Sequence, residues 1–584
     1  MKVPGYNKHL NKFRGVAGDI LAIFVLLFVI NNYTQRAERT INADGVGYYD
    51  YLPALFIHHD LDDSKISETT SRKALKEQYY VKYGETYLDK YTCGTAILIS
   101  PFFLAAHIQA DAAEADGYSP VYQRYVFYAA VFYLFLFAFF FRKFLETYSI
   151  KAGIIFACQL FAIVATPVLN YVNDDAAFSH VYSLFAITAF LYCSRMYLRE
   201  GKAKQLYFAF ALLGLIFLLR QVNVMVVLFV PFLADSYPLL LQRFKSFFKD
   251  YRTAIIAFVI LLFTVNVQCM LWYIQTGEWI VYSYGTETFI FSESHIIDFL
   301  FSYQRGMFVY APVLLVCVPG IIYWLVKGKF WTFFTWFVPL LLIVFVFSSW
   351  YVWFYGASFG CRPMIEFVPL FLLPFALFMN QVRWYLAASC IVVASLAIPV
   401  GIVQTWQYKQ FVLHWTSMNK EKYWEVFLET DEQFRGYLWK PDFWLTERWS
   451  YTPLDSMIIG DREVGLNTFT EVWRDTIEDW SPLIQASILQ LEFDGTFTRD
   501  MTSTIAVQIK ESGSEHLYYE HQRPAMHFAE TGLGHYQRGR YNFQFEPKEF
   551  SSPVVISVLV AAYDNRVSMR NARIRWIWYH PMGK

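Results

Sequence analysis

The sequence predicts a polytopic α-helical membrane protein of about eleven transmembrane helices, followed by a C-terminal β-sandwich or jelly-roll-like domain outside the cytoplasm. Three observations carry that expectation. Hydrophobic residues make up 56% of the 584 and charged residues only 17%, against about 25% charged in an ordinary soluble chain. The charges are uneven, most of them lying before residue 120 or after residue 405. Between those limits apolar runs recur, and clusters of basic residues follow every second one.

The runs fall at roughly 16–34, 121–141, 152–171, 177–194, 205–219, 223–241, 253–275, 307–326, 331–349, 363–380 and 384–404. The first begins at Val16 with no small-residue cleavage pattern after it, so it is expected to be retained. Lys2, Lys8, Lys12 and Arg14 precede it. Later clusters are Arg142 and Lys143; Arg195, Arg199, Lys202 and Lys204; Arg243, Lys245, Lys249 and Arg252; Lys327 and Lys329; and Arg383. With an odd number of spans all of them share one side, which the positive-inside rule makes the cytoplasm. The loop 35–120 and the tail from 405 then lie outside. Arg220, Gln221 and Asn223 are costly in hydrocarbon, so 205–241 is expected as two short spans meeting at an outer turn, not one kinked helix.

The tail reads as β-rich. Ser487–Phe493, Thr504–Ile509, Tyr541–Phe545, Val554–Ala562 and Arg573–Tyr579 alternate or are rich in β-branched residues, with turn residues such as Asp494-Gly495 between them. Its aromatics Trp473, Tyr518 and Trp576 suit sugar stacking or core packing. Seven cysteines all precede residue 400 and none forms a CxxC pair, which fits membrane core residues. Lys+Arg and Asp+Glu balance at 49 each, which says nothing about an acidic or basic partner; no basic stripe of the kind that tracks nucleic acid is present, so no nucleic-acid partner is expected.

The outer segments hold the residues suited to chemistry. Asp44 is followed by Gly45 and Gly47, which permit close backbone approach. The stretch Tyr87–His107 is expected as an amphipathic helix on the outer membrane surface, with Lys90 at headgroup level as a phosphate contact or an interfacial anchor. Asp174, Asp175 and His180 lie within one turn, where they can bind a divalent cation or sugar hydroxyls, or cap a helix. Arg220, Arg305 and Arg362 sit at outer span ends, where topology does not favour positive charge. An arginine fork suits phosphate.

Asp44-Gly45, the segment Asp89–Gly94 around Lys90, Phe178–Ser183, Ser302–Gly306 and Tyr355–Arg362 resemble segments of the multispanning glycosyltransferases of the GT-C fold. The branch resembled holds the protein mannosyltransferases and aminoarabinose transferases, and the last three segments are similar to an uncharacterised bacterial subgroup of that superfamily. Where relatives often carry two adjacent acidic residues, this chain has Asp44 followed by glycine. The resemblance covers roughly 10–410 and does not extend to the tail; it implies a GT-C-like transmembrane domain over 1–410 with its active site in loop 35–120, while the sequence pattern gives a connector at 411–480 and an extracytoplasmic β-rich domain at 481–584.

It implies an enzyme of the cytoplasmic (inner) membrane, N-terminus inside, that transfers a hexosyl or pentosyl group. The donor would be a polyprenyl-phosphate sugar and the acceptor a glycan, lipid or protein, with inversion at the anomeric carbon. Asp44 would be the catalytic base, Lys90, Arg305, Arg362 and Arg220 the donor-phosphate ligands, and Asp174, Asp175 and His180 sugar or metal contacts. No cofactor is implied with certainty, and a divalent cation is possible. A transporter or flippase of lipid-linked sugars is the alternative, although it would favour internal repeats and mid-membrane charges.

Overall fold

The computed structural model describes residues 18–20, 24, 40–61, 80–83, 86–112, 114–285, 287–415, 418–431, 434, 438, 449–464, 468–483, 488–497, 503–512, 517–522, 537–544, 550, 553–562 and 567–581. The expected first span at 16–34 lies mostly outside them. The chain divides into two compact units, a helical one running mainly to Trp406 and a second one mainly from Glu421.

Among the described residues of the helical unit, six helices are long and apolar enough to cross a membrane: Pro120–Glu146, His180–Glu200, Tyr251–Thr276, Phe330–Ser348, Arg362–Met379 and Trp384–Lys409. Shorter apolar helices are Gly94–Gln109, Ala152–Val164, Ala203–Leu219 and Pro312–Val326. Every apolar run expected after residue 120 thus has a helical counterpart, although several are shorter than a full crossing. The run at 223–241 differs. Its helical part Gln221–Leu233 ends in a bend of 117°, and a separate helix, Tyr237–Lys249, follows. The break has local causes. Arg195 takes the Leu233 carbonyl at 2.7 Å and the Asp235 carboxylate at 2.9 Å, Ser236 caps the next helix by accepting from the Leu239 amide, and Pro238 stands in its first turn. The other suspected break is at Arg220, whose extended backbone separates Ala203–Leu219 from Gln221–Leu233.

Contacts sort the helix ends into two sets. At one end, Gln123 holds Ile41, and Asn223 and His180 meet Glu366. At the other, Arg195 joins Thr147 to Asp235, Arg142 meets Glu146, and Asn380 accepts from Lys151. The basic clusters of the sequence follow the second set. The first set carries Asp44, Arg220 and Arg362. The helix Gly94–Gln109 is not amphipathic as expected. It buries Thr95, Ile99 and Phe103 while exposing Ile97, Leu104 and Ile108, so its outer face is as apolar as its inner one.

The second unit is an antiparallel double sheet. Its strands are β3 (Trp449–Val464), β4 (Thr468–Ile477), β5 (Ile488–Phe497), β6 (Ser503–Glu511), β7 (Leu517–Gln522), β8 (Gln537–Gln544), β9 (Val554–Ala562) and β10 (Val567–Pro581); the earlier hairpin β1 (Tyr80–Tyr83) and β2 (Thr86–Asp89) belongs to the helical unit. The sheets run β3-β10-β5-β8 and β4-β9-β6-β7. Eight strands in that order form a jelly roll. Inward residues alternate along each strand, as with Leu489, Leu491 and Phe493 on β5 and Ile505, Val507 and Ile509 on β6. β3 and β4 lie inside 411–480, the stretch expected to be a connector, so the sheet starts upstream of residue 481. Trp576 belongs to this core, in ring contact with Trp480 at 5.0 Å, and Trp473 packs half-buried against it. The Tyr518 side chain lies outside the described residues.

Candidate functional site

Asp44 opens the short helix Asp44–Pro53. Its carboxylate sits where Gly45 and Gly47 let the helix press onto its neighbours. A Cβ on Gly47 would stand 2.3 Å from the Tyr91 ring, and one on Gly45 would stand 2.8 Å from Ala177. The close approach that these glycines permit is to protein, and it holds Asp44 beside Phe178 and Tyr91.

Across 318 positions of sequence, Arg362 Nη1 donates to Asp44 Oδ2 at 2.7 Å. Arg362 begins the turn Arg362–Phe367, with Pro363 next to it in the first turn. Its guanidinium also lies 5.7 Å from the Phe178 ring centre and 5.9 Å from that of Tyr355, which fixes its plane. The pair is open on one side, since the Asp44 side chain is 28% exposed and that of Arg362 15%. Burial pushes the Asp44 carboxyl up, but the charges of Arg362 and Lys90 outweigh it and hold the group at about 2. Lys90, in the loop after β2, donates to Glu287 at 3.1 Å and lies 5.2 Å from the Tyr91 ring centre. Asp44, Arg362 and Lys90, three of the expected residues, are therefore electrostatically one group.

A second cluster lies on the same Arg362–Phe367 turn. Glu366 is fully buried, and its carboxylate takes Arg220 Nη1 at 2.9 Å, shares a hydrogen bond with His180 Nδ1 at 2.7 Å, and accepts from Asn223 Nδ2. This departs from the sequence reading in two ways. Arg220, expected on a phosphate, is spent on Glu366. His180, expected to act with Asp174 and Asp175, turns instead to Glu366, while Asn170 donates to Asp175 at 2.8 Å and Asn42 donates to the Asp174 carbonyl at 2.9 Å. Among the described residues no three His, Cys, Asp or Glu side chains gather as a metal-ligand set. Glu366 went unnoticed in the sequence because it sits inside an apolar run, Pro363–Leu373. The signal was there, since a carboxylate within a span needs a partner.

Among the described residues Arg305 makes no hydrogen bond or ion pair to either cluster. It is 2% exposed, and its Nε and Nη2 have no hydrogen-bond partner among the described residues. Two buried guanidinium nitrogens without a partner are costly, and an anion would relieve them.

No family model matches the sequence, and no curated protein matches it. Among solved structures the chain is similar to the arabinosyltransferase EmbB from Mycobacterium smegmatis, with 9% identity and a TM-score of 0.36. The alignment covers 88% of this chain and 62% of that one, so the chain spans less than two thirds of the length of EmbB. Nothing about activity or substrate follows from a likeness at this level.

Proposed function

We propose that the chain is a membrane glycosyltransferase that moves a sugar from a polyprenyl-phosphate donor to an acceptor hydroxyl at the outer face of the membrane. The observation that carries this reading is the open ion pair of Asp44 and Arg362, with Lys90 close enough to lower the carboxyl further. A carboxylate and two cations in one partly open site supply both needs of an inverting transfer. One is a base for the acceptor, and the other is a fixed positive field for the departing phosphate.

The geometry supports these roles. Asp44 takes the proton of the acceptor hydroxyl as its oxygen attacks the anomeric carbon. The bond from that carbon to the phosphate oxygen breaks, and the electron pair leaves with the lipid phosphate. Arg362 and Lys90 meet its charge, with Arg305 as a further phosphate ligand. In the free protein Asp44 at about 2 is a weak base. A donor phosphate that draws Arg362 towards itself removes the main influence holding the carboxyl down. Burial is then opposed only by Lys90 and the Tyr91 hydrogen bond, so the carboxyl becomes a stronger base at the moment it is needed. Glu366, Arg220, His180 and Asn223 lock the turn that carries Arg362. The basic end of the helices faces the cytoplasm in this reading, and the jelly roll is extracytoplasmic.

The test is transfer of labelled sugar in membranes, with polyprenyl-phosphate pentoses and hexoses as donors and the lipid, glycan and protein fractions counted separately. Label in one fraction, dependent on this chain, supports the reading and names the acceptor class. Movement of intact donor across the bilayer with no label in any acceptor would overturn it in favour of a flippase.

A further inference from the structure

The helix Tyr237–Lys249 offers an apolar face that none of the described residues covers. Placed at about 100° per residue, Leu241, Phe244 and Phe248 share one stripe, and all three are exposed, Phe244 at 60% and Phe248 at 62%. Protein contacts on the adjoining side fix the rotation of the helix. Arg243 donates to the Leu198 carbonyl at 2.7 Å and to the Arg199 carbonyl at 2.8 Å. Phe247 packs at 6.1 Å from Phe210 and 6.0 Å from Phe258, and Tyr237 at 5.4 Å from Trp331. With that side anchored, the phenylalanine stripe has to face away. Lys245 and Lys249 flank the stripe on its other border and are exposed. The neighbouring carboxylate, Asp250, is engaged as the cap of the next helix, accepting from the Thr253 amide at 3.2 Å.

The neighbours of the helix set its height. Gln221–Leu233 leads into it through nine residues of 3-10 helix and four of α-helix, about 24 Å at roughly 2.0 and 1.5 Å per residue. That length covers most of a hydrocarbon core of about 30 Å. Tyr251–Thr276, strongly apolar and with an almost wholly exposed surface, leads out of it one residue later. The helix therefore lies between an apolar segment that reaches through most of a hydrocarbon core and a helix long and apolar enough to cross it, at the end of the bundle opposite Asp44.

We propose that Tyr237–Lys249 is an interfacial helix that docks in the leaflet at that end, with its phenylalanine stripe among the acyl chains and Lys245 and Lys249 on anionic phospholipid headgroups. The inference is independent of any catalytic reading.

Hydrogen–deuterium exchange tests it on the full chain in nanodiscs, comparing pure phosphatidylcholine with nanodiscs that also contain phosphatidylglycerol. Each lysine near an anionic surface favours docking about fivefold, so two give on the order of 25-fold. Amides of 237–249 exchange more slowly in the anionic nanodiscs by up to that factor, and Lys245→Gln/Lys249→Gln abolishes the difference. Exchange in Tyr251–Thr276 serves as the control and is the same in both lipids. Equal exchange of 237–249 in the two lipids for the wild type, or a difference that survives in the double variant, would overturn the proposal.

Discussion

Replacing Glu366 by glutamine keeps its volume and one acceptor but removes the charge that Arg220 faces at 2.9 Å. The Glu366 side chain is fully buried and that of Arg220 is 14% exposed, so solvent cannot take over the lost partner. A buried pair broken from one side costs about 3–5 kcal/mol. Arg220→Met, which leaves the Glu366 charge behind, is expected to cost a similar amount. The double variant Arg220→Met/Glu366→Gln leaves neither charge, and His180 and Asn223 still find the amide. Its expected cost is about that of one single variant, which makes the coupling about 3 kcal/mol or more. Equilibrium unfolding of the four proteins in detergent micelles measures this directly. Single variants costing under about 1 kcal/mol, or effects that add within about 0.5 kcal/mol, would refute the reasoning, since distant independent sites behave that way.

Three further outcomes follow from the same structure. Asp44 is held at about 2 against an ordinary 3.8, so it contributes about 2 kcal/mol of stability, present above pH ~4 and lost as the pH falls to about 2. Unfolding of the wild type compared with Asp44→Asn across that window should show this loss in the wild type alone. Gly47→Ala puts a methyl 2.3 Å from the Tyr91 ring, and it should lower stability by about 1–3 kcal/mol through displacement of that ring, as thermal unfolding would report. Trp576→Ala empties the centre of the jelly roll beside Trp480 and should cost about 3–5 kcal/mol, read as early loss of the near-ultraviolet signal of that unit.

The helical architecture was legible because lipid imposes its pattern on composition. Long apolar runs and basic clusters mark crossings and their ends, and neither needs tertiary knowledge. What tertiary structure added was of another kind. Asp44 and Arg362 were each recognisable as unusual, but only folding reveals that they meet. Asp174, Asp175 and His180 looked like one group because they are neighbours in sequence, yet His180 opens the helix His180–Glu200 and points to a carboxylate 186 positions away. Glu366 and Glu287 carry no local signal, because their cationic partners Arg220 and Lys90 lie 146 and 197 positions away. In the tail, β3 spans Pro453 and Gly460 and carries several charges, which blurred its alternation into an apparent connector. The irregularities in its pairing with β10, between Met569 and Arg573 and again between Trp576 and Ile577, are the structural counterpart of that weak pattern.

The account rests on Asp44 as the group that receives the acceptor proton. The most direct measurement is therefore the initial rate of sugar transfer from polyprenyl-phosphate donors by the wild type and by Asp44→Asn, at equal protein levels and with donor binding measured alongside. The substitution keeps the shape and still offers Arg362 an acceptor, while removing the base. The account predicts a fall in rate of about 100-fold or more with donor affinity largely retained. A variant that transfers sugar at close to the wild-type rate would contradict it.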